Sequence, residues 1–387
     1  MNNTNIEWIW QLLDWPKFHW QDQLIQPLLR EVRLKQGILI GKTGAIAADI
    51  SLESALDTLL QNIIASSAIE GEQLNVQSVR SSLAKRIGLH LKQPYPTSER
   101  SEGLAQMMLD AIYNLKSPLS LERLMQWHKW LFPNNTQSIL YPIQAGQLRG
   151  DEPMQVVSGR IDNPTVHYEA PPKARLEHEL NRFIDWFNQS LKDTTLDPLL
   201  RAAITHFWFI TIHPFEDGNG RITRALTDLA LAQEDKQSIR LYAMSATILA
   251  HRNDYYQILE QSQRQTTNIT LWLSWFLKTL DNSIQTAIDK IDQTLAKSRF
   301  WQVFQECELS KEQIKIINLM FDNGDEAFEH GISAAQYKKI TKVSKATATR
   351  HLADLLEKGC IEKLPGGGRS TRYQIKTSIV EVKKQDS

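Results

Sequence analysis

His213-Pro214-Phe215-Glu216-Asp217-Gly218-Asn219-Gly220-Arg221-Ile222-Thr223-Arg224 places a histidine, a carboxylate pair, a Gly-Asn-Gly turn and two arginines within twelve residues. After Gly220 the apolar residues Ile222, Ala225, Leu226, Leu229 and Ala230 recur at three- and four-residue spacing, which predicts a helix beginning near Gly220. Before His213 the apolar run Pro198 to Ile212 predicts a second helix, with Asp197 as N-cap and Pro198 in its first turn. A polar loop therefore joins two buried helices. Gly218 and Gly220 are both expected to tolerate positive φ. A turn of that kind aims backbone N–H groups into one concavity at a helix N-terminus, where an anion is favoured.

The side chains of the stretch point the same way. Arg221 and Arg224 share a helix face in the first turn, where the macrodipole disfavours cations unless an anion lies between them. Guanidinium forks suit phosphate oxygens. Asp217 is a hard oxygen ligand of the kind Mg²⁺ takes beside substrate phosphates. His213 is suited to act as a base near neutral pH. Singly, a histidine before proline is an ordinary turn residue, and arginines near a helix start are ordinary surface residues. Together the residues match, without a departure, the signature H-P-F-x-[DE]-G-N-G-R-x-x-R, and the chain resembles the Fic family in this motif.

That resemblance implies a mainly α fold: a Fic helical-bundle core (the Fido fold) with a short β-hairpin flap. It implies transfer of AMP from ATP to Ser, Thr or Tyr hydroxyls of target proteins and of the enzyme itself. His213 would take the hydroxyl proton, and Asp217 would hold Mg²⁺ on the phosphates. Gly218, Asn219 and Gly220 would cradle the phosphates, Arg221 and Arg224 would grip the β- and γ-phosphates, and Phe215 would pack the loop onto the core. The site is not of the Walker type, since G-x-x-x-x-G-K-[ST] does not occur.

The chain has 387 residues, 42% of them apolar, enough for two or three domains with a sizeable core. Formal net charge is zero, so the chain as a whole is no polyanion binder. Two distant cysteines, Cys307 and Cys360, fit a reducing compartment and give no zinc spacing. There is no 18-residue apolar run, and the polar start Met1-Asn2-Asn3-Thr4 is unlike a signal peptide, so a soluble cytoplasmic protein without a membrane span is expected. The expected divisions are an N-terminal helical module over 1–90, the catalytic core over 91–285 and a C-terminal domain over 300–380.

Trp8, Trp10, Trp15 and Trp20 crowd the N-terminus; they read as an aromatic packing face, with a partner surface as the alternative. A helix follows through Leu29, Val32 and Ile38. The segment resembles a domain found ahead of bacterial Fic cores. A further helix over about 52–69 carries the stripe Leu52, Leu56, Leu59, Leu60 and Ile63, with Gly71 as a C-cap. Its end, Ser66-Ser67-Ala68-Ile69-Glu70-Gly71, matches the inhibitory motif [ST]-x-x-x-E-[GN] of the same family. By that resemblance Glu70 pairs with Arg224, keeps the γ-phosphate out and makes the enzyme autoinhibited. Some relatives also remove AMP, with the glutamate aligning a water; the sequence leaves that open.

Between Ser138 and Pro172 helical periodicity fails, and Val156, Val157 and the following glycine predict a hairpin. By resemblance Val157, Ser158 and Gly159 belong to the flap that pairs with the target backbone. His251-Arg252-Asn253-Asp254-Tyr255-Tyr256 resembles the family's R-x-x-Y-Y helix, so Asn253 and Tyr255 would line the adenine pocket; Tyr256 and Leu259 as plain core is the competing reading. His128 and His206 lack metal-like partners and read as core or surface residues.

From Ser310 onward, a helix with Ile314, Ile317, Leu319 and Phe321 is followed by a helix capped by Ser333. A third, Lys345 to Lys358, is expected to bury Ala348, Leu352, Leu355 and Leu356. Strands around Gly359–Leu364 and Arg372–Ile375, joined by a glycine-rich tip, make the unit resemble a winged helix. Lys338 to Lys376 holds ten Lys and Arg against three Asp and Glu, a net of +7. Lys345, Thr347, Thr349 and Arg350, with the wing at 366–372, would present a footprint for DNA phosphates or for a protein partner. A DNA-binding regulator whose Fic core senses a nucleotide is the rival reading from another class, and UTP, GTP or a phosphocholine nucleotide are rival donors. A homodimer is compatible with the sequence, which names neither the target nor the oligomeric state.

Overall fold

The structure, a computed structural model, describes residues 7–43, 48–133, 143–160, 163–234, 241–322, 328, 330–365 and 371–376. It is mainly α. Contacts divide the chain into Met1–Ala287 and Ile288–Ser387, a boundary inside one long helix, Thr270–Val303.

Two helices organise the first unit. α7 (Pro198–Ile212) is buried at every residue from Leu199 to Ile212, as an all-round apolar helix must be. It starts where Asp197 predicts, with the carboxylate accepting the N–H of Leu199 at 2.8 Å. α8 (Asn219–Glu234) is buried over most of its length and packs along α7. α2 (Ala48–Ile69), α4 (Glu99–Tyr113) and α5 (Leu121–Leu131) also pack on α8, and α6 (Lys173–Ser190) packs on α7. The α7–α8 turn is thereby held at the centre of a bundle.

The tryptophans serve packing. Trp8, Trp10 and Trp15 are buried, while Trp20 is only partly so. Trp10 Nε1 donates to the carbonyl of Glu169 at 2.7 Å, and Trp15 Nε1 donates to the fully buried carboxylate of Glu179 at 2.8 Å. Phe18 meets Trp15, Phe207 and Trp208 edge-on. In α1 (Asp22–Thr43) the buried stripe runs Ile25, Leu29, Val32, Gln36 and Leu39, and Ile38 lies outside it, exposed. The 3.6-residue period selects Gln36 and Leu39 over the more apolar Ile38.

α2 buries Leu56, Leu59, Leu60 and Ile63, but Leu52, near its outer end, is exposed. Its C-terminus is a Schellman turn: Gly71 at φ +80° donates to Ala68 O at 3.0 Å, and Glu72 N–H donates to Ser67 O at 3.0 Å. This turn fixes where Glu70 and Glu72 point.

The expected hairpin is present as β1 (Gln155–Arg160) paired antiparallel with β2 (Asn163–Glu169), with a bulge between Val156 and Val157. Residues 161–162, which connect the strands, lie outside the described residues. Tyr168 anchors the hairpin: it is buried and its hydroxyl donates to Thr211 O in α7 at 2.6 Å.

The second unit contains α12 (Lys311–Asp322), α13 (Ala334–Thr341) and α14 (Lys345–Glu357). Its sheet, in the order β3-β5-β4, comprises β3 (Ile332–Ser333), β4 (Ile361–Lys363) and β5 (Arg372–Ile375). Its core gathers Ile316, Ile317, Met320, Ile332, Tyr337, Ala348, Leu352, Leu355, Cys360 and Ile361. Leu356, expected to be buried, is 39% exposed, and Ile314, one of the apolar residues of the first helix, is 38% exposed; each sits one helical position off the buried stripe. β3 was not readable from two residues of sequence, and it exists because Ile332 and Ser333 pair with Tyr373 and Arg372. Most of the wing expected at 366–372 lies outside the described residues. Among the described residues no helix is long and apolar enough to cross a membrane.

The N-terminal segment is integral to the first unit's packing. Trp15→Ala removes a buried ring and leaves Glu179 without its indole donor, so it should cost about 3–5 kcal/mol. A lowered urea midpoint for unfolding checks this, and an unchanged midpoint contradicts it.

Candidate active site

The α7–α8 loop begins with a strained residue. His213 is the C-cap of α7 in the left-handed region, at φ 52° and ψ 58°, a conformation that costs a side-chain-bearing residue about 1 kcal/mol or more. Arg149 holds it there. The Arg149 Nε donates to His213 O at 2.8 Å, its backbone N–H donates to Pro214 O at 3.0 Å, and its Nη2 reaches Pro171 O. Arg149 is buried, and nothing in its local sequence marks it as a site residue.

His213 Nδ1 faces Ile210 O at 3.0 Å. A carbonyl only accepts, so the proton is on Nδ1 and the Nε2 lone pair is free for a base role. Burial lowers the imidazole pKa from its ordinary value, which keeps the ring neutral at pH 7.

The middle of the loop closes on itself. Asn219 Nδ2 donates to Phe215 O at 2.7 Å, and Phe215 N–H donates to Asn219 Oδ1 at 2.9 Å. The Asn219 side chain is thus a clamp across the loop. Phe215 is fully buried and stacks on His128 at 4.4 Å. His128 Nδ1 accepts the N–H of Gly146 at 2.8 Å, so its Nε2 carries the proton, 3.2 Å from Asp217 O. His128 is therefore a strut beneath the loop rather than a bystander.

Of the two loop glycines only Gly218 has positive φ, +82°. α8 starts at Asn219, one residue earlier than expected, so Gly220 is already helical. Gly220 is required for space instead: a Cβ there would lie 2.0 Å from Glu70 Oε1.

Both arginines meet carboxylates from the end of α2. Arg224, buried, donates through Nε to Ser66 Oγ at 2.8 Å, and through Nη2 to Ser66 O and Glu70 Oε1, each at 2.8 Å. Arg221, also buried, pairs through Nη1 with Glu72 Oε2 at 2.5 Å and through Nη2 with Asp217 Oδ1 at 3.1 Å. Glu72 in turn is gripped by Arg100 at 2.7–2.9 Å. Among the described residues, the buried Arg221 Nε and Arg224 Nη1 have no hydrogen-bond partner. Glu72 and Arg100 carry no local sequence signal and belong to the site only through contacts distant in sequence.

A cavity of about 600 Å³ lies over the loop. Glu70, Val157, Ser158, His213, Asp217, Gly218, Asn219, Gly220, Asn253 and Tyr255 line it, so the structure brings these residues together. Phe215, Arg221, Arg224, Ser66 and Gly159 are not on its wall. Tyr255 contributes ring surface, since its hydroxyl is 3.0 Å from His206 Nε2 in the core; Tyr256 is partly buried and Leu259 buried. His206 is a core residue, fully buried and also bonded to Thr227 Oγ1 at 2.9 Å. The opposite wall carries a chain the sequence did not reveal: Ser158 Oγ to His167 Nε2 at 2.5 Å, His167 Nδ1 to Glu260 Oε2 at 2.7 Å, and Arg264 to Glu260 Oε1 at 2.6 Å.

Among the described residues no cluster of three or more His, Cys, Asp and Glu forms a metal cage. Asp217, with its side chain 45% exposed at the cavity wall, fits Mg²⁺ held by one carboxylate together with ligand phosphates. Among the described residues, Arg221 Nε and Arg224 Nη1 lack an acceptor, which fits an anionic ligand of that kind.

Parts of the chain are similar to known proteins. Residues 118–231 match the model of the Fic/DOC family, and residues 8–89 match that of DUF4172, a domain of unknown function. The chain is similar to protein adenylyltransferase fic-1 of Caenorhabditis elegans, 26% identical over 167 residues, which are 42% of this chain and 30% of that protein. It is similar to protein adenylyltransferase Fic of Nematostella vectensis, 25% identical over 244 residues, 62% of this chain and 51% of that protein. The chain therefore spans between 30% and 51% of the length of these curated relatives. A crystal structure of a Fic family protein from Desulfovibrio desulfuricans G20 shares the fold, with a TM-score of 0.51 at 20% identity over 92% of this chain and 97% of that one.

The His128 strut has a pH signature. Burial lowers its pKa from 6.5 to about 4, so the folded ring stays neutral where the unfolded one takes up a proton. Its stabilisation is fully present above pH 6.5 and is lost as pH falls towards 4. Compared with His128→Phe, which keeps the ring on Phe215, the native protein should lose about 3 kcal/mol of relative stability between pH 7 and pH 4. Urea titrations across that range check this, and parallel curves contradict it.

Proposed function

We propose that this chain is a protein adenylyltransferase that moves AMP from ATP to a hydroxyl of a protein, and that Glu70 holds it off. The observation that carries the reading is the pairing of Arg224 with Glu70 beside His213, with Arg224 Nη1 and Arg221 Nε left buried and unpartnered. Each guanidinium so placed keeps one N–H without an acceptor, and a nucleotide's phosphate tail can supply acceptors as it displaces the carboxylates.

The chemistry follows from the residues. His213 Nε2 accepts the proton of the acceptor hydroxyl. The hydroxyl oxygen attacks the α-phosphorus, the α–β oxygen bond breaks, and pyrophosphate leaves. Backbone N–H groups at the start of α8 and the two arginines stabilise the charge on the phosphates. Mg²⁺, when bound at Asp217, supplies further neutralisation of the tail. The Asn219 clamp, Arg149 and His128 keep the loop in place, so little reorganisation accompanies the reaction. In the described sheet β1 pairs with β2 alone, leaving an edge at Val157 and Ser158 to which a target strand can add. Asn253 and the ring of Tyr255 are assigned to the base of the nucleotide. A nucleotide sensor needs no base, so the neutral, free Nε2 of His213 favours catalysis over sensing.

Glu70→Gly frees Arg224 and should raise labelled AMP incorporation by about tenfold or more at matched ATP and Mg²⁺. Adding His213→Ala should lower it about 10²–10⁴-fold. Incorporation at the native level in Glu70→Gly, or retained in the double variant, contradicts the reading.

We also infer that the second unit is a winged helix whose α14 faces nucleic-acid phosphates. Lys345 and Arg350 on α14 are exposed, and the surrounding segment is strongly basic. Lys345→Glu with Arg350→Glu should weaken duplex DNA binding and reduce the slope of log affinity against log salt by about 2. A slope unchanged by the pair of substitutions contradicts this assignment.

A further inference from the structure

Glu70 is one of two carboxylates that leave the end of α2. Gly71 turns the chain between them, and the second, Glu72, meets the other arginine of the loop. We propose that Glu72 is a second stop: it occupies Arg221 as Glu70 occupies Arg224, so a single turn of chain neutralises both phosphate-gripping arginines, and Arg100 is the cation that receives Glu72 when a nucleotide displaces it. This rests on the reading of Arg221 and Arg224 as the grip for a nucleotide's phosphate tail.

The geometry supports an exchange rather than a fixed structural pair. Arg221 has Nη1 on Glu72 and Nη2 on Asp217, which leaves only Nε unpartnered. A phosphate approaching Arg221 therefore meets two carboxylates before it meets an open fork, and like charges at that range repel. Glu72 is not bound to Arg221 alone. Its Oε1 accepts from Arg100 Nε at 2.9 Å and Nη2 at 2.7 Å, and its Oε2, the oxygen on Arg221, also takes Arg100 Nη2 at 2.8 Å. Glu72 can thus release Arg221 and keep a bidentate partner, which avoids stranding a charge in a partly buried place.

Arg100 and Arg221 both lie on the ring of Phe132, at 5.1 and 5.2 Å from its centroid. Two cations on one ring need an anion between them. Glu72 fills that place now, and a phosphate oxygen can fill it afterwards.

The test is nucleotide affinity in the full chain carrying His213→Ala, which prevents turnover, measured with ATP, ADP and AMP in turn. Glu72→Gln keeps the side chain's shape and removes its charge. ATP and ADP should each bind about tenfold tighter, the scale of one charge-assisted hydrogen bond, while AMP, which lacks the tail, binds as before. Where Glu72→Gln alone does not fold, Glu72→Gln with Arg100→Gln removes one charge of each sign and should give the same pattern. ATP binding that is weaker or unchanged in the folded variant overturns the proposal and makes Glu72 a support for Arg221. Glu70→Gly in the same series separates the two ideas. If it tightens ATP while Glu72→Gln does not, only the second stop is wrong. If ATP, ADP and AMP bind alike to every variant, the phosphate-grip reading falls as well.

Discussion

Arg224 is a cation in the second turn of a buried helix, and its burial there constrains everything around it. Burial opposes it, and its three nitrogens need acceptors. Ser66 and Glu70 meet part of this demand and leave Nη1 unpaired. The fold therefore requires an anion at this point, and the chain supplies one from α2 until something else takes its place. Regulation, on this account, is a change in which anion meets the requirement.

The same constraint explains the rigidity of the loop. An arginine can be exchanged between partners only if the groups that read the exchange stay still. Asn219 closes the turn, Arg149 fixes the left-handed His213, and His128 supports Phe215. α7 and α8, buried nearly all round, hold both ends. On this account the part that exchanges is the short segment Glu70-Gly71-Glu72, which follows a helix end rather than lying in the core.

Much of this was legible in the sequence because its signals are local. The apolar periods of α7 and α8, the Asp197 cap, the Gly71 turn and the signature from His213 to Arg224 each lie within a few residues. The pairing of Ser66 and Glu70 with Arg224 was legible only through a family resemblance. Arg149, His128, Glu72 with Arg100, and the Ser158–His167–Glu260 chain were not legible as site members. Their partners lie far off in the sequence, Glu72 and Arg221 by 149 residues, and no spacing rule reaches that distance. Local signals also mislead by a single helical position, as Ile38, Ile314 and Leu356 show. At Gly220 the residue was singled out for one reason, positive φ, and proves necessary for another, the close approach of Glu70.

The central claim is that Glu70 acts through Arg224 and nothing else. ATP affinity measured in a double-mutant cycle tests it most directly, with Glu70→Ala, Arg224→Met and the two combined. The account expects Glu70→Ala to tighten ATP binding when Arg224 is present and to change nothing once Arg224 is methionine. Equal tightening in both backgrounds would show that Glu70 excludes the nucleotide by its own charge, and would contradict the account.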